Sequence, residues 1–562
     1  MIGFCLPQAH GAAGFFHKQA WAKHIILKVQ TMKKILLATV VPLVLAVFLG
    51  TPYYLGIKAR ETLTEQHRVL ADTFFFDVVS HDYDQGWFSS TETTVIRFHP
   101  NLLSNLSKQL PANIQTVLDK EITLVNHVKH GLFADGIRPV RASVRTEFRF
   151  DPKVQEILNR FFNNPAQDPF TVRNTVYLGG GGKMDVRIAP FNYEELSGIK
   201  LNWQGMRADI AYQDGFKNYT TRFDIPGLSA VLADMGQITL ENITVNSETR
   251  EGREGVSLGA SDTKLGRFEI EWKENIDYNL RLNDLVNAVT DLQIGAFINP
   301  TGTVAPAKLA VHNLAYQSQT DENKGFIDAK GRFSFEKLLY GEESYGPLDI
   351  DVSAEHLDAK SLAALKNRWQ QMSTEAVDAD KWQQQMLASL RKEGAGLFTN
   401  DPVLKVNKFE LALPSGHIKV RGGLRFNGLE AVDLNDFAAM LGKMHAEIDL
   451  DVSKKVLESF AVTQARSFFA TDAPDDAGEQ ADLTAKEQQD VDETVRLIMG
   501  SMLDNLHHDG YITLADNAVK TKIVLQEGKP TLNGKPFEVK PDEDVLDLVE
   551  PDGATPKPDS KP

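Results

Sequence analysis

The stretch FELALPSGHIKVRGGLRF, residues 409–426, decides the fold class. Apolar and polar side chains alternate on both sides of Pro414-Ser415-Gly416, which are turn residues. Because successive side chains of a strand point to opposite faces, this period of two indicates extended chain. The stretch therefore predicts a β-hairpin with one apolar and one wet face, as in an antiparallel sheet.

The rest of the chain mixes this alternation with helical spacing. Alternation predicts strands within residues 91–99, 143–150, 175–188, 199–272 and 326–335. Three- and four-residue spacing predicts helices within residues 59–81, 101–127, 355–393 and 453–509, and short helical pieces at 226–235, 282–292 and 434–444. We expect an α+β fold, mainly antiparallel β-hairpins forming a long curved sheet with interspersed helices. The acidic insert Thr471–Asp490 is expected to be a solvated loop.

The N-terminal region predicts a membrane anchor. Residues 35–57, ILLATVVPLVLAVFLGTPYYLGI, carry no charge and are long enough as a helix to cross roughly 30 Å of hydrocarbon. Lys33 and Lys34 abut the stretch, and five lysines without an acid in residues 1–34 place the N-terminus in the cytoplasm. An uncleaved transmembrane helix is favoured over a cleaved signal peptide, because the stretch lacks a good small-x-small cleavage site.

The predicted anchor determines the bounds and the compartments of the other segments. Residues 1–34 would be a cytoplasmic tail. Met32-Lys33-Lys34 also resembles the start of an export signal, so the alternative is that the start codon is wrongly assigned and that translation begins at Met32. Residues 58–538 would form a periplasmic α+β region, as one body or two lobes. Residues 539–562, rich in acids and prolines, would be a disordered tail.

Composition and charge limit the partners and the metal sites that the protein can have. The 562 residues carry a net charge of −16, and the basic N-terminus leaves the rest more acidic still. Because such a body repels phosphates, nucleic acid is not an expected partner. Cys5 is the single cysteine, so neither an intrachain disulfide nor a thiolate metal cluster can form. No cofactor is expected.

Two motifs resemble catalytic or phosphate-binding sequences. Gly255–Gly259 matches the G-x-S-x-G nucleophile elbow with Ser257, but that motif needs a strand before it and a helix after it. Gly179–Gly182 with Lys183 resembles a phosphate loop, but Met184 replaces the required hydroxyl residue and strand-like sequence follows. We expect a hairpin turn at the first and a flexible turn at the second.

Two polar clusters carry side chains of the types that bind metals or transfer protons. His507-His508-Asp509 is better explained as a helix C-terminus that Gly510 ends. His81-Asp82-Tyr83-Asp84 lies at an expected helix-to-strand junction, where such residues are ordinary caps. We therefore assign no catalytic and no metal-binding residues.

The octapeptide YDQGWFSS, residues 83–90, follows the predicted anchor and precedes a strand. It resembles the signature of the YdgA-like family of Gram-negative bacteria, whose residues here are Tyr83, Gly86, Trp87, Phe88, Ser89 and Ser90. Gln85 departs from the basic residue common in the family. Near the C-terminus, Gly510–Leu514, Lys522–Leu525 and Leu532–Lys535 resemble the family's closing strands and Asn-Gly turn.

The resemblance implies an inner-membrane-anchored periplasmic protein and supplies no catalytic residues. We expect Trp87 and Phe88 to plug the core at the start of the sheet, with Ser89 and Ser90 in the turn. The favoured function is a non-catalytic role in the cell envelope, binding lipid or an extended chain in a β-sheet groove. An envelope scaffold that binds other proteins and a hydrolase acting on envelope material are the alternatives.

Overall fold

The computed structural model describes residues 48–67, 76–98, 120–131, 133–136, 138–162, 168–234, 236–272, 308–374, 379–471 and 485–537. The chain divides into two compact units. The first comprises residues 1–155, 171–185 and 212–216, and the second comprises residues 156–170, 186–211 and 217–562. Most of the anchor prediction, the short helical piece 282–292 and the tail 539–562 lie outside the described residues.

The first unit is an antiparallel meander packed against one helix. Its strands are β1 (Phe76–Gln85), β2 (Ser89–Phe98), β3 (Ile122–His130), β4 (Ala142–Phe150) and β5 (Phe170–Val176), each paired with the next. Helix α1, residues 48–67, lies on this sheet. Ala59 and Leu63 of α1 pack with Val128, Val144 and Val176 into the core of the unit.

The second unit is built on a longer antiparallel sheet. Its main strands are β8 (Ile199–Trp203), β10 (Asn218–Leu232), β11 (Gly236–Glu251), β12 (Ser257–Trp272), β13 (Lys308–Asn323), β14 (Phe326–Phe335), β17 (Leu348–Asp358), β18 (Val403–Leu413), β19 (Gly416–Phe426), β20 (Met444–Ser453) and β22 (Ala518–Gln526), in that spatial order. Shorter strands of the chain are β6 (Gly182–Ile188), β7 (Phe191–Glu194), β9 (Met206–Tyr212), β15 (Lys337–Tyr340), β16 (Glu343–Tyr345), β21 (Thr513–Ala515), β23 (Lys529–Leu532) and β24 (Lys535–Pro536). The first four residues of β6 and the last residue of β9 belong to the first unit. The predicted hairpin at 409–426 is confirmed as β18 and β19.

Helices interrupt the sheet at chain positions that were largely predicted. They are α2 (Pro152–Phe161), α3 (Ala359–Thr374), α4 (Ala379–Lys392), α5 (Gly396–Thr399), α6 (Phe437–Lys443), α7 (Lys454–Thr471) and α8 (Ala485–His508). The α+β class with mainly antiparallel strands is confirmed. Among the described residues, no helix combines the length and the hydropathy that a membrane span requires.

Three helix predictions are wrong in part. Residues 76–81 are strand β1, where the aromatic and β-branched run Phe76–Val79 favours extended chain. Residues 122–127 lie in β3, whose pairing with β2 and β4 overrides local helical spacing. Residues 226–232 belong to β10, which pairs on both sides with β8 and β11.

A line of irregular residues crosses four strands of the second unit. The regular pairing skips one residue on each strand: Pro226 on β10, Asn242 on β11, Gly266 on β12 and Asn313 on β13. Each skipped residue lies opposite the skipped residue of the neighbouring strand. Asn242 and Asn313 have positive φ angles of 56° and 51°, which asparagine tolerates better than branched residues do. Across the line, neighbouring apolar residues are three positions apart instead of two, as Leu240 and Ile243 are on β11.

Candidate functional site

The signature residues form the β1–β2 turn and do not plug the core. Trp87 is 52% exposed and Phe88 is 51% exposed, so the expected burial of both side chains is wrong. Trp87 instead reaches α1, where its indole N–H donates to the Leu49 carbonyl at 2.8 Å and its ring lies 5.1 Å from that of Tyr53. Ser89 and Ser90 begin β2 and do not lie in the turn.

Close to this turn, His130 binds α1 at Pro52. Its Nδ1 lies 2.8 Å from the Pro52 carbonyl, which can only accept, so Nδ1 carries the proton. Nε2 then accepts from the Ser90 hydroxyl at 3.1 Å. Burial lowers the pKa of His130, although the Pro52 carbonyl acts in the opposite direction. Gly56 leaves room for the ring, because a Cβ there would lie 2.7 Å from His130 Cε1.

Polar contacts continue along α1. Arg141 donates to Thr62 Oγ1 at 2.7 Å, and Asn174 Nδ2 donates to Gln66 Oε1 at 2.8 Å. The Tyr212 hydroxyl donates to Asn174 Oδ1 at 2.7 Å, and burial raises the pKa of Tyr212 to about 12. One face of α1 is therefore held by hydrogen bonds as well as by the apolar core.

The histidine expected at a helix-to-strand junction lies within β1. His81 Nε2 lies 2.9 Å from Glu92 Oε1, and Glu92 is 3% exposed and also accepts from Asn126 Nδ2 at 2.7 Å. The His67 ring of α1 lies 4.0 Å from the His81 ring. Burial, and secondarily His81, lowers the pKa of His67. These groups fasten the end of α1 to the sheet.

Tyr83 of the signature is structural. Its ring packs against the core of the first unit, with the Arg60 guanidinium 5.4 Å above the ring centroid. Burial raises the pKa of the Tyr83 hydroxyl. Gly86 is needed in the turn, since a Cβ there would lie 2.3 Å from the Ser89 carbonyl oxygen.

The remaining motifs have the structural roles that the sequence favoured. Gly255 lies in the β11–β12 connection, but Ser257–Gly259 already belong to β12, so the expected turn is confirmed only at the beginning of the motif. No helix follows Ser257 as a nucleophile elbow requires. Gly179–Gly182 forms the turn between β5 and β6, and Lys183 continues into a strand. His507 and His508 end α8, and Gly510 follows with a φ of 71°. Within the described ranges, no three His, Cys, Asp or Glu side chains are grouped as metal ligands.

A row of eight apolar side chains and two threonines, which we call the apolar row, crosses the second unit and was not predicted from the sequence. Paired positions on ten neighbouring strands share one face of the sheet. The row is Phe223, Val245, Thr263, Tyr316, Phe333, Ile350, Phe409, Val420, Leu450 and Thr521. It extends about 43 Å, since neighbouring strands lie about 4.8 Å apart. Every member is half-buried or exposed, and Val352 beside it is 40% exposed.

Helices pack on the same face at both ends of the strands. Near one end, Leu362 of α3 packs against Ile327, which lies six positions from Phe333 on β14 and so shares its face. Near the other end, Leu457 of α7 and Leu503 of α8 pack against Val519, two positions from Thr521. The apolar row lies between these two helix-covered regions, and we call this partly covered surface the apolar trough.

The opposite face of the same strands is charged. Arg332 of β14 makes a bidentate contact with Asp349 of β17, with both N–O distances at 2.9 Å. Lys408 of β18 binds Asp349 at 2.9 Å and Glu410 at 3.3 Å. The Arg332 guanidinium, and then Lys408, lowers the pKa of Asp349. The sheet therefore separates a solvated face from an apolar face that the described helices cover only in part.

Over residues 32–540 the chain matches the DUF945 family of bacterial proteins of unknown function. No curated protein and no solved structure matches it. The match covers both the turn at Tyr83–Ser90 and the closing strands that suggested a family resemblance. The chain belongs to the DUF945 family of bacterial proteins of unknown function.

Proposed function

We propose that this protein is a membrane-anchored, non-catalytic component of the cell envelope that holds lipid acyl chains in its apolar trough. The inner membrane would anchor it through residues 35–57, with the body in the periplasm. The observation that carries the proposal is the ten-strand apolar row, none of whose side chains is fully buried. Leaving so many apolar side chains partly wet costs free energy, so the surface is suited to a ligand.

The trough favours acyl chains over an extended polypeptide. A polypeptide must satisfy its own backbone N–H and C=O groups, and it finds such partners at a sheet edge. The floor of the apolar trough offers side chains such as Phe333, Ile350 and Val420 instead. A hydrocarbon chain has no hydrogen bonds to satisfy and gains from every apolar contact.

Site-specific photocrosslinking tests this proposal. A benzophenone amino acid would replace Val352 in the full-length protein in intact cells. A matched probe would replace Arg421, which is exposed on the charged face of β19. We expect a phospholipid adduct at position 352 and none at 421, as read by mass spectrometry of the purified chain.

Other outcomes reject the lipid function. Equal lipid labelling at both positions would indicate unspecific contact with the membrane. Protein adducts at position 352 without lipid would favour the scaffold alternative. The absence of any adduct at 352, with the probe shown to be incorporated, would mean that the trough is empty in the cell.

A further inference from the structure

Three connections of the first unit lie at one end of its sheet. Because β1 to β5 form an antiparallel meander, the β1–β2, β3–β4 and β5–β6 connections lie at the same end of the strands. Register confirms this placement, since Ser90 pairs with Val128, Val128 with Val144, and Ala142 with Val176. Pro52 of α1 lies at the same end, where it contacts His130.

Each of these connections exposes large apolar side chains. Trp87 and Phe88 lie on the first, Phe133 on the second, and Tyr177 and Leu178 on the third. Phe133 is 66% exposed, the largest fraction of the five. Neighbouring α1 adds exposed Phe48, Leu49, Tyr53 and Tyr54. We call these nine residues the aromatic end of the first unit.

The three connections are tied to α1 at defined levels. The Trp87 indole N–H donates to the Leu49 carbonyl, and His130, the residue before the second connection, donates from Nδ1 to the Pro52 carbonyl at 2.8 Å. Arg141 donates to the carbonyls of both Lys58 and Leu178, which brings the third connection to the helix. Leu49 and Tyr53 belong to the uncharged segment 35–57, so Trp87 is level with the end of the predicted span.

We propose that the aromatic end is seated in the lipid interface of the bilayer, so that the folded body contacts the membrane through three connections besides the anchor. Trp and Tyr prefer this interface, because it accommodates an apolar ring and a polar N–H or O–H together. Exposed Lys129, near the end of β3, and Arg138, on the second connection, suit the negative surface of anionic lipids. The inference rests on the proposed anchoring and is independent of lipid in the apolar trough.

Depth-dependent fluorescence quenching tests the seating. The full-length chain has six tryptophans, and one variant would keep Trp87 alone, with phenylalanine at the other five. A matched variant would keep Trp369 alone, which is 40% exposed on α3 of the second unit. Both would be reconstituted into vesicles of phosphatidylcholine and phosphatidylglycerol, with and without lipids brominated near the headgroup end of their acyl chains.

We expect brominated lipid to remove most of the Trp87 emission and little of the Trp369 emission, with acrylamide showing the reverse order. Adding Phe88→Ser and Phe133→Ser should lower the quenching of Trp87. If the multiple replacement disturbs folding, the difference in quenching between wild type and Trp87→Phe isolates the same residue.

Each remaining result overturns the seating. Trp87 open to acrylamide but not to brominated lipid would place the turn in water. Protection from both quenchers would mean that protein covers the aromatic end. Protein that separates from the vesicles in alkaline carbonate would reject the anchoring together with the seating, whereas retained protein with unquenched Trp87 rejects the seating alone.

Discussion

At the scale of single residues, Gly56 of α1 lies against the buried ring of His130 and leaves no room for a side chain. Gly56→Ala would bring a methyl group within 2.7 Å of the buried ring. We expect α1 to loosen by about 1–3 kcal/mol, the usual cost of overpacking, which hydrogen exchange of the α1 amides would measure. Gly50→Ala on the same helix meets nothing within 4 Å and is the control. Equal protection in both variants would contradict the role of His130.

The same histidine predicts a pH dependence. In the folded protein the pKa of His130 is lowered, so folding favours the neutral ring. Above the unfolded pKa of about 6.5 both states are neutral and stability is constant. As pH falls below about 6.5 the released state takes up the proton first, so the α1 contact weakens until the folded pKa is reached.

Exchange of the α1 amides at about pH 7.5 and about pH 5.5, corrected for intrinsic rates, checks this sign around the unfolded pKa. His130→Gln keeps an N–H donor for the Pro52 carbonyl and should remove part of the pH dependence. A remainder is expected, because the pKa of His67 is also lowered. An unchanged pH dependence in His130→Gln would exclude His130 as the cause.

At the scale of elements, the line of irregular residues explains why β10 was difficult to predict. Pro226 lacks an N–H and is unsuited to a central strand, and the three- and four-residue spacing that follows it predicts a short helix instead. The structure accommodates Pro226 because its neighbours across the sheet, Asn242, Gly266 and Asn313, interrupt regular pairing at the same level. By contrast, the Asn533-Gly534 turn was predictable from two residues, whose φ angles are 47° and 78°.

Substitutions at Asn242 test this interpretation. Asn242→Val places a β-branched side chain at φ 56°, and we expect a cost of about 1–2 kcal/mol in the local stability of β10 to β13. Asn242→Gly should be neutral or better, since glycine has no such penalty. Asn246→Val, on the same strand at an ordinary φ, is the matched control and should be tolerated. Hydrogen exchange that is equally fast in both valine variants would contradict the assignment of strain to position 242.

At the scale of the whole chain, sequence predicted the strands but not the surface that they build. Alternation in FELALPSGHIKVRGGLRF identifies Phe409 and Val420 as residues of one face. It gives no register with Phe223 or Thr521, because a one-residue slip reverses the face of every side chain. The apolar trough therefore becomes visible only when the pairing of ten strands is known. The exposed positions of Trp87 and Phe88 were missed for a related reason, since burial depends on what α1 leaves uncovered.

We expect substitutions in the core beneath the helices to lower mainly the stability, and substitutions on the floor of the apolar trough to lower mainly the lipid retention. Leu503 of α8 is 5% exposed, so Leu503→Ala should cost about 2–5 kcal/mol in unfolding free energy. Ile350 is only half-buried, so Ile350→Ala should cost less than half as much while weakening lipid retention, because its contacts are made with the ligand. Thermal unfolding and quantification of co-purified phospholipid would be measured on the same full-length preparations. If Ile350→Ala destabilised the protein as much as Leu503→Ala and left bound lipid unchanged, the row would be an incompletely covered core and no binding surface.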